Sequence, residues 1–264
     1  MNQSRKSFKK AEFKSHPHKK RWGQNFLKDK NILNKIVRTI YLTTKDSILE
    51  IGPGEGALSE KVLPKVKEMI AIEIDPLLIS HLKSLSILDD LSLVCGDILD
   101  QRISDLPISK PVRVIGNIPY NITSPIIFWL LQQLECWTDA HIMMQKEVAE
   151  RITASVGTKS YGRLTVVTAA YLNAKYCFSI SPNVFYPKPK VKSAVIRFTQ
   201  KKYPLVKNKN FKRFNSIVSA AFNQRRKMLS NSLSEFDISD DIKMKVDFSR
   251  RPETLDVKEF VSLV

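Results

Sequence analysis

The chain is 264 residues long, 43% hydrophobic and 9% aromatic, which excludes disorder throughout and fits one large domain or one large and one small. Lys and Arg total 43 against 26 Asp and Glu, a formal net charge of +17; that surplus points first to a polyanion such as nucleic acid, the competing reading being a basic protein kept soluble by its charge. Cys95, Cys136 and Cys177 are isolated, which fits a reducing compartment and speaks against a zinc site, and the longest apolar run, IIFWLL at 126–131, is far short of the roughly 18 residues of a membrane span.

Residues 1–21 form a basic tail with no signal-type apolar segment, so a cytoplasmic protein is expected. The stretch 28–42 places Ile32, Ile36, Val37 and Ile40 at helical spacing. Short apolar runs then recur, each closed by a polar residue: DSILEIG, EMIAIEIDP, LSLVCGD and VRVIGN. With helix-length segments between them, these runs predict buried parallel strands of an open α/β sheet. HIMMQKEVAERI (141–152) starts strand-like and turns helical. RLTVVTAAYL and AVIRFTQ read as two further strands, or as a buried helix followed by a strand, and periodicity does not decide between these. The charged, proline-broken stretch 200–210 predicts a boundary between a domain over 22–200 and a helical one over 201–264.

In an open α/β sheet ligands bind outside the carboxyl ends of the strands, so the residue closing each apolar run is a candidate. Gly52, Gly54 and Gly56 follow the first run in LEIGPGEGALSE, where glycine permits a tight turn and close approach of a ligand to the backbone. Tight βα turns need glycine for steric reasons alone, so the loop is weak evidence by itself. Glu73, about 20 residues on, is placed to accept from both hydroxyls of a ribose, and Asp97 to accept from an adenine amino group. Helix capping or solvation is the competing reading for each acid. A nucleoside cofactor held without a G-K-[ST] phosphate loop suggests S-adenosylmethionine, with NAD as the alternative that the glycine spacing disfavours.

The stretch GNIPYNITSP (116–125) closes the fourth run. Methyl transfer to an exocyclic amine needs aim more than base strength, because the amine lone pair is delocalised into the ring. The Asn117 side-chain oxygen and the Ile118 carbonyl could accept from the two amine hydrogens. Pro119 fixes its own φ and restricts Ile118, and Tyr120 can stack on the base. Thr123 or Ser124 is expected as the N-cap of the next helix, with Pro125 at its first position. An ordinary strand-turn-helix is the competing reading.

GQNFLKD, LEIGPGEGALS, IEID, GDIL, GNIPYNITSPI, QKEVAERI, YGRLTV, VFYPKPKVKSAV and AFNQRRKML closely resemble the KsgA family of ribosomal RNA adenine dimethyltransferases, over nearly the whole chain. The resemblance implies a Rossmann-like class I S-adenosylmethionine-dependent methyltransferase domain followed by a small all-helical C-terminal domain. It implies that Asn25, Leu27, Gly52, Glu73, Asp97 and Asn117 line the cofactor site, with S-adenosylhomocysteine as product and no metal. It also implies that Tyr120 and Phe185 sandwich a flipped-out adenine, although a phenylalanine between valine and a proline turn also fits a core position. The implied reaction places two methyl groups on each of two adjacent adenosines near the 3′ end of small-subunit (16S) RNA within an assembling subunit. The partners are that subunit and its RNA, with no membrane, and the enzyme is expected to be a monomer.

In FNQRRKML, Arg225, Arg226 and Lys227 on a helix cannot all face a core, so they are expected to grip RNA phosphates, against the reading of a solvated helix end. Two other functions stay open. A large-subunit RNA methyltransferase conferring macrolide resistance would share the first domain, and FNQRRKMLSNSL and RPETLDVKEF resemble the KsgA type instead. An assembly factor that needs no catalysis would not need the intact glycine loop, Glu73, Asp97 and N-I-P-Y.

Overall fold

The computed structural model describes residues 24–264, so the basic tail expected over 1–21 lies outside them. The described chain begins with strand β1 (Phe26–Leu27) and helix α1 (Lys30–Ile40), then β2 (Ser47–Ile51), α2 (Ser59–Val62), β3 (Glu68–Glu73) and α3 (Pro76–Lys83). Next come β4 (Ser92–Cys95), β5 (Val112–Asn117), α4 (Thr123–Leu131), β6 (Trp137–Gln145), α5 (Lys146–Ile152) and α6 (Arg163–Tyr171). β7 (Leu172–Ile180), β8 (Phe185–Tyr186) and β9 (Ser193–Gln200) complete the strands, and α7 (Phe211–Asn223), α8 (Leu229–Ser232), α9 (Asp240–Lys245) and α10 (Val257–Val261) follow.

Seven strands form one sheet in the order β4-β3-β2-β5-β6-β9-β7. The strands β2 to β6 pair in parallel, and β9 pairs antiparallel with both β6 and β7. Because β2 has β3 on one side and β5 on the other, the winding reverses there and opens a crevice at the carboxyl ends. All of β2 and five of the six residues of β3 are buried, which explains their unbroken apolar runs. The four expected strands are all present. For RLTVVTAAYL the helix-then-strand alternative holds, since α6 ends at Tyr171 and β7 starts at Leu172, and AVIRFTQ lies in β9.

α1 starts at Asp29, whose Oδ1 accepts from the amides of Asn31 (2.8 Å) and Ile32 (2.9 Å), satisfying donors that a helix start leaves unpaired. It buries Leu33, Ile36 and Ile40, while Ile32 and Val37 of the expected stripe are partly buried at its margin. The start of α4 differs from expectation. A turn over Tyr120–Ile122 runs into a helix whose first residue is Thr123, and Ile122 stands at the cap position with no side-chain bond. Pro125 is therefore the third helical residue, still within the first turn where its missing N–H leaves no bond unmade.

After Gln200 the described chain forms helices and short helical turns but no strand. The boundary expected at 200–210 falls in the loop before α7. Phe214, Ile217, Val218, Leu229 and Phe260 beyond it join one apolar cluster with Val166 and Tyr171 of α6 and with the sheet. Edge-on ring pairs reinforce the joint, Tyr171 with Phe211 at 5.7 Å and Tyr161 with Phe222 at 6.0 Å between centroids, and Tyr161 Oη donates to the Leu255 carbonyl at 2.9 Å.

Candidate active site

A cavity of about 250 Å³ lies at the carboxyl ends of the parallel strands. It brings together Asn25, Leu27, Gly52, Glu73, Asp97, Asn117 and Tyr120, every candidate cofactor residue and two of the three candidate catalytic ones. Gly52, Gly54 and Gly56 have φ of 66°, 59° and 84°, the left-handed region where a side chain is strained. At Gly54 there is a second reason, because a Cβ would stand 2.9 Å from ring carbons of Phe26. The glycine loop thus lets β1 close over the strand ends.

Glu73, at the end of β3 and only 3% exposed, accepts from the amides of Gly54 (3.2 Å) and Asp75 (3.0 Å). Burial pushes its carboxyl above the usual range, opposed by those two donors. It therefore holds the glycine loop as well as lining the cavity. One oxygen of Asp97 caps the turn over Ile98–Asp100, accepting from Leu99 N at 2.9 Å. Capping and cavity lining coexist in this residue.

Asn117 Nδ2 donates to the Asn25 carbonyl at 2.9 Å. Only the amino end of the amide can donate to a carbonyl, so this bond fixes its sense and leaves Oδ1 as the acceptor offered to a ligand. The next amide, Ile118 N, donates to Met143 O at 3.3 Å, and Pro119 takes φ −56° and ψ 137°. Tyr120 Oη shares a 2.7 Å hydrogen bond with Ser193 Oγ, and burial pushes the phenol up, so it stays neutral with its ring held by the start of β9.

Two expected residues stand differently from what the sequence suggested. Phe185 is 5% exposed and is absent from the cavity wall. It pairs with Leu27 across β1 and β8 and packs in the apolar cluster of Leu27, Met143 and Val195, three residues that do line the cavity. The triplet Arg225–Lys227 does not lie on a helix, because α7 ends at Asn223 and the chain turns. Arg225 is committed within the molecule: it ion-pairs with Glu253 at 2.5 Å and donates to the carbonyls of Lys159 (2.6 Å) and Thr158 (3.1 Å). Arg226 and Lys227 are exposed.

Sequence reasoning missed three cavity features. Glu50, 1% exposed, accepts from Ser59 Oγ at 2.5 Å; its carboxyl is pushed up to about 7 by burial, with repulsion from Glu73 adding to the shift. His141, 3% exposed, lines the cavity with Asp139 3.9 Å from its Nδ1, and burial pushes it down to about 4 against the pull of Asp139. Ser193 positions Tyr120 from 73 residues away. No spacing rule signals any of these, although Glu50 does stand directly before the glycine loop.

The donor set fits S-adenosylmethionine. Glu73 and Asp97 sit on adjacent strand ends, the walls near Phe26, Leu27 and Ile98 are apolar, and the acidic side chains Glu50 and Glu73 in the lining favour a cationic ligand over a phosphate. Among the described residues, no helix is long and apolar enough to cross a membrane and no group of three or more His, Cys, Asp or Glu side chains could hold a metal ion.

A family model described as ribosomal RNA adenine dimethylase matches residues 15–262. The chain is 41% identical over 250 residues to a ribosomal RNA small subunit methyltransferase A of Legionella pneumophila (strain Lens), covering 94% of this chain and 97% of that protein. A protein of the same description from Coxiella burnetii (strain Dugway 5J108-111) is 38% identical over 252 residues, covering 95% and 98%. Among solved structures, a dimethyladenosine transferase from Plasmodium falciparum superposes with a TM-score of 0.78 at 28% identity, covering 90% and 95%. The 23S rRNA methyltransferase ErmE gives a TM-score of 0.67 at 27% identity, covering 90% and 97%. By its sequence, its sheet order and the match of a family model along almost its whole length, this chain belongs to the ribosomal RNA adenine dimethylase family.

Proposed function

We propose that this chain dimethylates N6 of two adjacent adenosines near the 3′ end of small-subunit ribosomal RNA, in a subunit still being assembled, and that it does so as a monomer in the cytoplasm. It is an S-adenosylmethionine-dependent ribosomal RNA adenine dimethyltransferase. The bound cofactor supplies a methyl group on a sulfonium, an electrophile with a good thioether leaving group. The residues of the site would hold the adenine amine in line with that methyl group, and the amine would give up one proton as it is methylated.

The observation that carries the assignment of roles is the Asn117 Nδ2 bond to the Asn25 carbonyl. It supports Asn117 Oδ1 as the acceptor that turns the amine lone pair towards the methyl group, with the Ile118 carbonyl taking the second hydrogen. Orientation of this kind reduces the barrier without a strong base. Tyr120, held by Ser193, supports one face of the flipped base. Phe185, seated beside Leu27 on β8, is proposed for the second face. Glu73 takes the ribose hydroxyls and Asp97 the cofactor adenine.

Incubation with methyl-labelled S-adenosylmethionine and undermethylated small subunits, followed by mass spectrometry of the nucleosides, tests both levels. The expected product is N6,N6-dimethyladenosine in small-subunit RNA. Asn117→Ala should lower turnover by roughly 100-fold or more, by loss of aim, with nearly unchanged subunit affinity. Label confined to large-subunit RNA would move the chain to the other RNA, and wild-type turnover in the Asn117 variant would return N-I-P-Y to a structural turn.

A further inference from the structure

The basic surplus is localised. Residues 151–234 contain 17 Lys and Arg and no Asp or Glu, so the whole formal charge of +17 resides in that stretch and the rest of the chain balances. Many of these and neighbouring cations are engaged within the protein: Arg151 with Glu147, Arg225 with Glu253, Arg163 with Asn215 and Lys146 with Glu150. Lys188, Lys190 and Lys192 are not. All three are exposed, and no side-chain hydrogen bond or ion pair joins them to a described residue.

They lie on the loop from Tyr186 to Lys192, which Pro187 and Pro189 stiffen by fixing φ. Both ends of this loop are tied to the cavity. At one end β8 pairs with β1, Tyr186 opposite Phe26 and Phe185 opposite Leu27, and Phe26 and Leu27 line the cavity. At the other end Ser193, the residue after Lys192, holds the Tyr120 hydroxyl, while the Lys192 carbonyl accepts from Lys146 N at 2.9 Å. Three uncompensated ammonium groups on a braced loop thus stand beside the ring proposed to carry the target base.

We propose that the Tyr186–Lys192 loop is the bed for the single-stranded RNA that flanks the target adenosine, its three lysines holding phosphates so that the base is delivered to Tyr120 and Asn117. This rests on the reading of the chain as an RNA adenine methyltransferase. Lysine contacts of this kind position a strand without reading its sequence, which suits a loop whose neighbour, the cavity, does the recognising.

The test compares the parent with Lys188→Gln/Lys190→Gln/Lys192→Gln and with the triple Lys→Arg variant, using undermethylated small subunits across a salt series. The Gln variant should raise KM for subunits by roughly tenfold or more, and the log–log salt slope should flatten by about 2, since each single-strand phosphate contact contributes roughly 0.7. Cofactor affinity should not change, and the Arg variant should keep the parent slope. A photo-crosslinking side chain at exposed Val191 should join RNA within a few nucleotides of the methylated adenosine. Failure of the parent to methylate would sink the functional reading. An active parent with equal KM and slope in the Gln variant would overturn the loop alone, as would a Val191 crosslink only to a ribosomal protein.

Discussion

Glu50 and His141 share the cavity and titrate in opposite senses. Burial raises the Glu50 carboxyl from 4.5 to about 7, so the folded state prefers the proton more than the unfolded chain does; this stability is full below pH 4.5 and is lost as pH rises towards 7. Burial lowers His141 from 6.5 to about 4, so its contribution is full above pH 6.5 and is lost as pH falls to 4. Each amounts to about 3 kcal/mol by the usual conversion, and in the cofactor-free enzyme the two slopes largely cancel between pH 4.5 and 6.5. Glu50→Gln keeps an acceptor for Ser59 and removes one titration. Urea midpoints of the parent should stay level across that window while those of the variant climb with pH; parallel curves would show that Glu50 does not titrate there.

At the scale of elements, β1 is held by what the glycine loop lacks. Gly54→Ala would place a methyl group 2.9 Å from the Phe26 ring at a φ of 59°, so the ring that lines the cavity beside Asn25 must shift or the loop must strain. The variant should bind S-adenosylmethionine at least tenfold more weakly in calorimetry while the core melts within a few degrees of the parent; parent-like affinity would show that the loop tolerates a Cβ. The same element marks where sequence reading stops. The ends of β2 to β5 were legible because every strand of a parallel sheet delivers its last residue to one edge, so Gly52, Glu73, Asp97 and Asn117 could be brought together from pattern alone. β1 and β8 are two residues each and pair across the chain, leaving no period to detect. β7 alternates exposed Asn173 and Lys175 with half-buried neighbours at a sheet edge, so its apolar signal is diluted. Arg225 illustrates a different loss: its charge was visible, but its partners Glu253, Thr158 and Lys159 are distant in sequence.

Across the whole molecule, the C-terminal helices share the apolar cluster of α6 and the sheet, so the shift in composition near residue 200 marks a change of secondary structure within a continuous core. The charge is as unevenly spread as the core is continuous, and the acid-free stretch runs through α6, β7, β9 and α7. Between these two features sits the two-residue pairing of β1 with β8. One side of it lines the cofactor cavity and the other leads into the lysine loop. A displacement that either ligand imposes on this ribbon is therefore felt at the other's site. The two affinities are then linked, and the linkage is reciprocal: the factor by which S-adenosylmethionine tightens RNA must equal the factor by which RNA tightens S-adenosylmethionine. Titrations of each ligand in the presence and absence of the other should return one shared factor above 1, and Gly54→Ala, which displaces the Phe26 ring of that ribbon, should lower it towards 1. Such a factor would make an enzyme charged with its methyl donor a better reader of RNA than a spent or empty one.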